Sequence, residues 1–162
     1  MKETRFYSIA LENIDGEINR LQDFCDMLDK NPAEKKKQIV EYKKTKYRYA
    51  AVSNVWAMFY FCHRLMDIHK DTHYLHPNVE PFLLNNPSYL SLYDNAPEEE
   101  KPEYGWYYGT LAFTDGEIAK LEEKLPFAND WEKIELEERL GGLRFAKVCL
   151  DEAWQKRKDV SV

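Results

Sequence analysis

Asp15-Gly16-Glu17-Ile18-Asn19-Arg20-Leu21-Gln22-Asp23 recurs one hundred residues later as Asp115-Gly116-Glu117-Ile118-Ala119-Lys120-Leu121-Glu122-Glu123. Five of the nine positions are identical, and three others keep charge or shape. Upstream the match continues with Phe6-Tyr7 against Trp106-Tyr107 and Leu11 against Leu111. Downstream, Arg48-Tyr49-Ala50-Ala51-Val52 returns as Arg144-Phe145-Ala146-Lys147-Val148, offset by ninety-six. Two matches in one order at nearly one offset predict a tandem duplication of a helical unit. Self-similarity of this kind speaks to architecture before it speaks to chemistry.

The spacing of apolar residues supplies the element type. Tyr7, Leu11, Ile14, Ile18, Leu21, Cys25 and Leu28 are separated alternately by four and three, one face of a helix. Tyr107, Leu111, Thr114, Ile118, Leu121 and Leu125 repeat the stripe. Helix is expected from Asp15 and Asp115 onward. Before them the chain either continues as helix or meets an N-cap at each aspartate, with Thr114-x-x-Glu117 as a capping box. Gly105 and Gly109 leave room for a short strand over 106–113.

Asn31-Pro32 reads as a cap and a first-turn proline opening a long second helix. Its stripe is Tyr42, Thr45, Tyr49, Val52, Trp56, Phe59, His63 and Met66, with Val55, Met58, Cys62 and Leu65 beside it. From Val52 to Met66 the helix is apolar round most of its girth, so Trp56 and Phe59 are expected to be nearly inaccessible. The counterpart helix starts near Asn129-Asp130 and runs to about Arg157, with Leu136, Leu140, Leu143, Ala146 and Leu150 inward and a kink at Gly141-Gly142. Between the hairpins, His76 to Glu103 holds five of the seven prolines and the run Glu98-Glu99-Glu100. Its apolar residues Phe82, Leu83, Leu84, Tyr89, Leu90, Leu92 and Tyr93 need something to pack on, and a short helix fits Ser88 to Tyr93.

The expected fold is therefore all-α: a single domain over 1–162 in which two tandem-duplicated helical hairpins, about 5–70 and 105–158, form a four-helix bundle. An aromatic, proline-rich bridge over about 77–103 joins them. At 162 residues one core of ordinary size can form. An aromatic content of 14% with only six glycines demands packed walls and excludes a disordered chain. The net charge of −6 argues against generic nucleic-acid binding while leaving room for a local basic patch. Met1-Lys2-Glu3-Thr4-Arg5 is charged and no apolar stretch follows, so a secretory signal is not expected. The longest apolar run, Ala50 to Cys62, is interrupted by Ser53 and Asn54 and is too short to span a bilayer. Cys25, Cys62 and Cys149 are odd in number and scattered, which suits reduced core thiols and a cytoplasmic protein.

Three segments could carry chemistry. All four histidines fall between His63 and His76, and His69, His73 and His76 share one face of a continuing helix. They could hold a metal with Asp67 or Asp71, although His76-Pro77 turns the third ligand away. The bland reading, a polar helix end, is favoured, and neither metal nor cofactor is expected. Arg64-Leu65-Met66-Asp67-Ile68-His69 is similar in its Arg-x4-His spacing to the HEPN helical ribonucleases, a likeness of two residues that the flanking ones do not extend. That likeness implies a ribonuclease in which Arg64 holds the phosphate and His69 moves a proton. A metal-dependent hydrolase centred on Arg64 to His76 is the other enzymatic form of this alternative. Lys35, Lys36, Lys37, Lys43, Lys44, Lys46 and Arg48, interleaved with Tyr42, Tyr47 and Tyr49, could grip a nucleic-acid backbone, with Lys43, Lys44, Lys46 and Arg48 as the contacts. A solvated helix face is the simpler account.

The phosphate-loop, nucleophile-elbow, paired-cysteine and di-iron patterns are missing. The expected function is accordingly that of a non-enzymatic interaction protein, binding a protein partner or itself, of a kind that viruses and mobile elements use against host machinery. Tyr89, Tyr93, Tyr104, Trp106 and Tyr108, aromatic and close to acidic residues, are the expected anchors.

Overall fold

Asn31 and Asn129 both do what an asparagine before a helix should. Their side-chain oxygens accept from the backbone N–H of Glu34 at 3.3 Å and of Glu132 at 2.9 Å. A computed structural model of the protein, describing residues 5–68 and 77–158, contains seven α-helices and no strand among the described residues. They are α1 (Arg5–Asp29), α2 (Pro32–Lys37), α3 (Ile39–Ile68), α4 (Glu80–Leu84), α5 (Pro87–Asp94), α6 (Lys101–Lys124) and α7 (Asp130–Lys156). Short 3-10 turns at Glu98–Glu100 and Leu125–Phe127 lead into α6 and α7.

Several sequence expectations need correction. Helix runs unbroken through Asp15-Gly16 and Asp115-Gly116, so neither aspartate is a cap and 106–113 is not a strand. The Thr114 hydroxyl donates to the Thr110 carbonyl at 2.8 Å, and the Thr110 hydroxyl to that of Trp106 at 2.9 Å. Those threonine hydroxyls are satisfied inside the helix and cap nothing. Gly109 is tolerated there because a Cβ on it would lie 2.8 Å from Val79 Cγ1 and 3.5 Å from Cys62 Sγ. Close packing of the bridge and α3 on α6 requires the missing side chain. The helix opened by Asn31 lasts only to Lys37; Gln38 leaves helical geometry (φ −108°, ψ 28°) before α3 begins.

Paired residues define the directions of the long helices. Phe6 meets Phe59, Glu17 meets Arg48 and Asp29 meets Tyr42, so α1 and α3 are antiparallel. Tyr107 with Asp151, Asp115 with Lys147 and Glu122 with Arg144 make α6 and α7 antiparallel. α3 packs on α1, α6 and α7, and α7 also packs on α1 and α6. Where α3 and α7 meet, a Cβ on Gly142 would come 2.9 Å from the Arg48 carbonyl oxygen and 3.0 Å from Ala51 Cβ. The glycine pair therefore marks a close helix crossing; α7 is continuous through it.

One end of the molecule is closed by rings. Trp106 is fully buried and donates its indole N–H to the Phe59 carbonyl at 2.7 Å. Phe6 sits edge-on to Phe59, Trp106, Tyr107 and Trp154. Phe59 is inaccessible as expected, whereas Trp56 is only half-buried and stacks on exposed Tyr60 at 5.6 Å. α4 and α5 lie along α6, burying Val79, Leu83 and Tyr93. Cys25, Cys62 and Cys149 are free and buried. No helix among the described residues is long and apolar enough to cross a membrane.

Candidate interaction surface

The expected bridge anchors turn inward. Trp106 is 0% exposed, Tyr93 5% and Tyr108 9%, while Tyr89 and Tyr104 are half-buried. Tyr89 donates to Asp115, whose other oxygen receives Lys147 at 2.6 Å, which ties α5 to α6 and α7. Tyr104 and Tyr107 pack on Trp154 at 5.0 and 4.3 Å. Burial pushes the Tyr93 phenol up to about 12, and it also raises Tyr89 and Tyr107, with hydrogen bonds to Asp115 and Asp151 adding to the shift. These rings hold the helices together. In this arrangement they offer little surface to a partner.

The basic segment is partly consumed as well. Arg48 donates to Glu17 at 2.9 Å in the α1–α3 seam. Lys44 faces Glu41 at 3.6 Å, and Lys46 lies over the Tyr42 ring at 5.5 Å. Lys35 bonds Asp29 at 2.9 Å and covers the same ring. Among the described residues Lys36, Lys37 and Lys43 have no ion pair. Arg64 is exposed and bonds Tyr60 on its own helix at 3.2 Å. His69, His73 and His76, and with them the second half of the Arg-x4-His pair, lie outside the described residues. No group of three metal-binding side chains occurs among those described.

At the end opposite the ring cluster the arrangement reverses. Phe127 is 89% exposed and Trp131 67%, on the turn between α6 and α7 and the first turn of α7. Ile39 and Val40, 38% and 39% exposed, face solvent at the start of α3. Two adjoining grooves open there. One, of about 790 Å³, lies between the last turn of α6 and α7, with Leu121, Phe127 and Leu136 on its walls. The other, of about 260 Å³, lies between α3 and α7, with Val40, Tyr47, Trp131 and Ile134 on its walls and Lys43 at its edge. Glu132 and Glu135 border both, so the start of α7 is the ridge between them. Arg139 neutralises Glu135 at 3.0 Å, and Glu132 accepts from the Asn129 amide at 2.7 Å.

The geometry of the turn forces this exposure. Pro126 lies within the 3-10 turn that begins at Leu125, Ala128 is extended (ψ 141°), and Asn129 caps the restarted helix. Trp131 then falls about 140° round α7 from Leu136, off the stripe of Leu136, Leu140 and Leu143 that faces the core. A signal was present in the sequence: two large aromatics flanking a cap and off the buried stripe. Comparison with protein-family models, curated proteins and solved structures finds no match to this chain.

Proposed function

We propose that the protein is an interaction module that binds a protein partner, or a second copy of itself, through the end bearing Phe127 and Trp131. The observation that carries this reading is the contrast between its two ends. The aromatics beside the bridge are spent on internal packing, whereas Phe127 and Trp131 stand exposed beside grooves whose apolar floors are rimmed by charged side chains. Exposed large aromatics next to concave apolar surface are what a hot-spot anchor and its receiving pocket look like. The same reading takes the fold as two related hairpins in a four-helix bundle. It is supported by matched burial: Phe6 with Trp106, Ala10 with Thr110 and Ile14 with Thr114 are all buried at the repeat offset.

The test is affinity capture from lysate with the parent chain, Trp131→Ala and Phe127→Ala, one arm treated with nuclease, beside a sedimentation series on each purified protein. Partner capture or self-association should survive nuclease and be lost in both variants at unchanged thermal stability. Binding that both variants retain, or that nuclease abolishes, would place function elsewhere.

A further inference from the structure

The groove between α3 and α7 has walls of opposite sign. On the α3 side Lys43 lines the groove, and the α2–α3 segment 34–48 around it holds seven cations (Lys35, Lys36, Lys37, Lys43, Lys44, Lys46, Arg48) against two carboxylates (Glu34, Glu41). Lys36, Lys37 and Lys43 have no ion pair among the described residues, so their charge is available. On the α7 side Glu132 and Glu135 line the groove, within a segment 130–139 that holds five carboxylates (Asp130, Glu132, Glu135, Glu137, Glu138) against Lys133 and Arg139. Those two cations already face Glu137 and Glu135. Asp130, Glu132 and Glu138 have no ion pair among the described residues. Between the walls sit an apolar knob, Trp131, and an apolar hollow bordered by Val40, Tyr47 and Ile134.

A uniformly charged partner gains from one wall and is repelled by the other. A surface that meets itself across a two-fold axis must be self-complementary, so a knob needs a hollow and a charged wall needs one of opposite sign on the same surface. This surface has both. The side-by-side, same-direction packing of α3 and α7 supplies the geometry, with Tyr47 of α3 beside Arg139 of α7. An axis running along the groove sets α3 of each copy over α7 of the other, so each cationic wall meets an anionic one. Resting on the proposed function, we infer that the occupant of this groove is a second copy of the chain, joined as an isologous dimer by reciprocal Trp131 packing and crossed Lys43-side to Glu132-side charge pairs.

Charge-reversed variants test this directly. One carries Lys36→Glu, Lys37→Glu and Lys43→Glu; the other carries Asp130→Lys and Glu132→Lys. By sedimentation velocity the parent should be a dimer at micromolar concentration and each variant alone a monomer, because like charges then face each other twice. Mixed in equal amounts, the two should form a heterodimer, since both crossed pairs regain opposite signs. Circular dichroism checks that each variant is folded. Should the acid-wall variant unfold, Trp131→Ala replaces it, and a folded, monomeric Trp131→Ala is then the expected result. A parent that stays monomeric over the concentration series overturns the inference, as does a mixture that stays monomeric or variants that dimerise as well as the parent. A monomeric parent that still captures another protein through Trp131 and Phe127 would sink the dimer while leaving the interaction function intact.

Discussion

Arg48 and Arg144 occupy matching positions in two similar stretches of sequence, yet their surroundings differ. Arg48 reaches Glu17, a carboxylate with only 5% of its side chain exposed, across the α1–α3 seam. Arg144 pairs with Glu122 where both side chains are more than half exposed. Removing a partner from a buried carboxylate leaves its charge under-compensated, whereas breaking a surface pair costs little. Arg20 still reaches Glu17 at 2.7 Å, which softens the loss. Arg48→Ala should therefore cost about 2–4 kcal/mol and Arg144→Ala less than about 1 kcal/mol in urea unfolding. Equal costs would mean that Glu17 gains water or another cation when Arg48 is gone. The identity of the two arginines was plain in the sequence. Their inequality was not, because it depends on which helix covers each one.

At the scale of elements, the glycines separate local preference from packing. Gly16 and Gly116, at matching places in α1 and α6, have nothing within 4 Å of an added Cβ. Alanine there should stabilise by about 0.5–1 kcal/mol, the ordinary helix-propensity gain. Gly142 has the same local preference, but its added Cβ would press on the Arg48 carbonyl oxygen and Ala51. Backbone cannot swing aside as a side-chain tip can, so Gly142→Ala should destabilise by about 1–3 kcal/mol. A thermal melt of the three variants checks this: two midpoints should rise and one fall. A rise for Gly142→Ala would show that α3 and α7 separate at little cost. Helix type and the inward stripe of α7 were legible from spacing alone. The split between α2 and α3 was not, since Gln38 carries no breaker signal, and the partial exposure of Trp56 was hidden because the apolar stripe is wider than the surface that covers it.

For the whole molecule, burial sets the response to alkali. It pushes the Cys62 thiol up to about 12 and Cys149 to about 11, and it raises Cys25 as well. Burial likewise pushes the Tyr93 phenol up to about 12 and raises Tyr89, Tyr107 and Tyr108. Each of these acids holds its proton in the folded state to higher pH than the ordinary thiol at 9.0 or phenol at 10.0. Above those ordinary values the unfolded chain has lost protons that the folded chain keeps, so stability falls as pH rises. Below them the groups are neutral in both states and contribute no slope. The urea midpoint should hold level from pH 7 to about pH 9 with respect to these groups and then drop steadily toward pH 11. The three thiols should resist a disulfide reagent at pH 8 and react fully in denaturant. A flat midpoint through pH 11, or ready reaction of native thiols, would mean that the interior opens far more often than its packing implies.

Sequence alone determined that this chain is helical, that helix runs from Asp15 and from Asp115 onward, that a long apolar helix passes through Val52 to Met66, where α7 runs and which of its residues face inward, and that the cysteines are core residues. Those properties follow from 3.6-residue periodicity and capping chemistry, which act over one or two turns and can be read along the chain. Tertiary structure alone decided which aromatics are spent and which are free. Trp106 and Trp131 both sit among tyrosines or charges in sequence. One is sealed by Phe6, Phe59 and the α3 carbonyl it bonds, while the other lies past the turn where no helix covers it. Burial is conferred by neighbours distant in sequence, so a residue's own surroundings in the chain cannot reveal it.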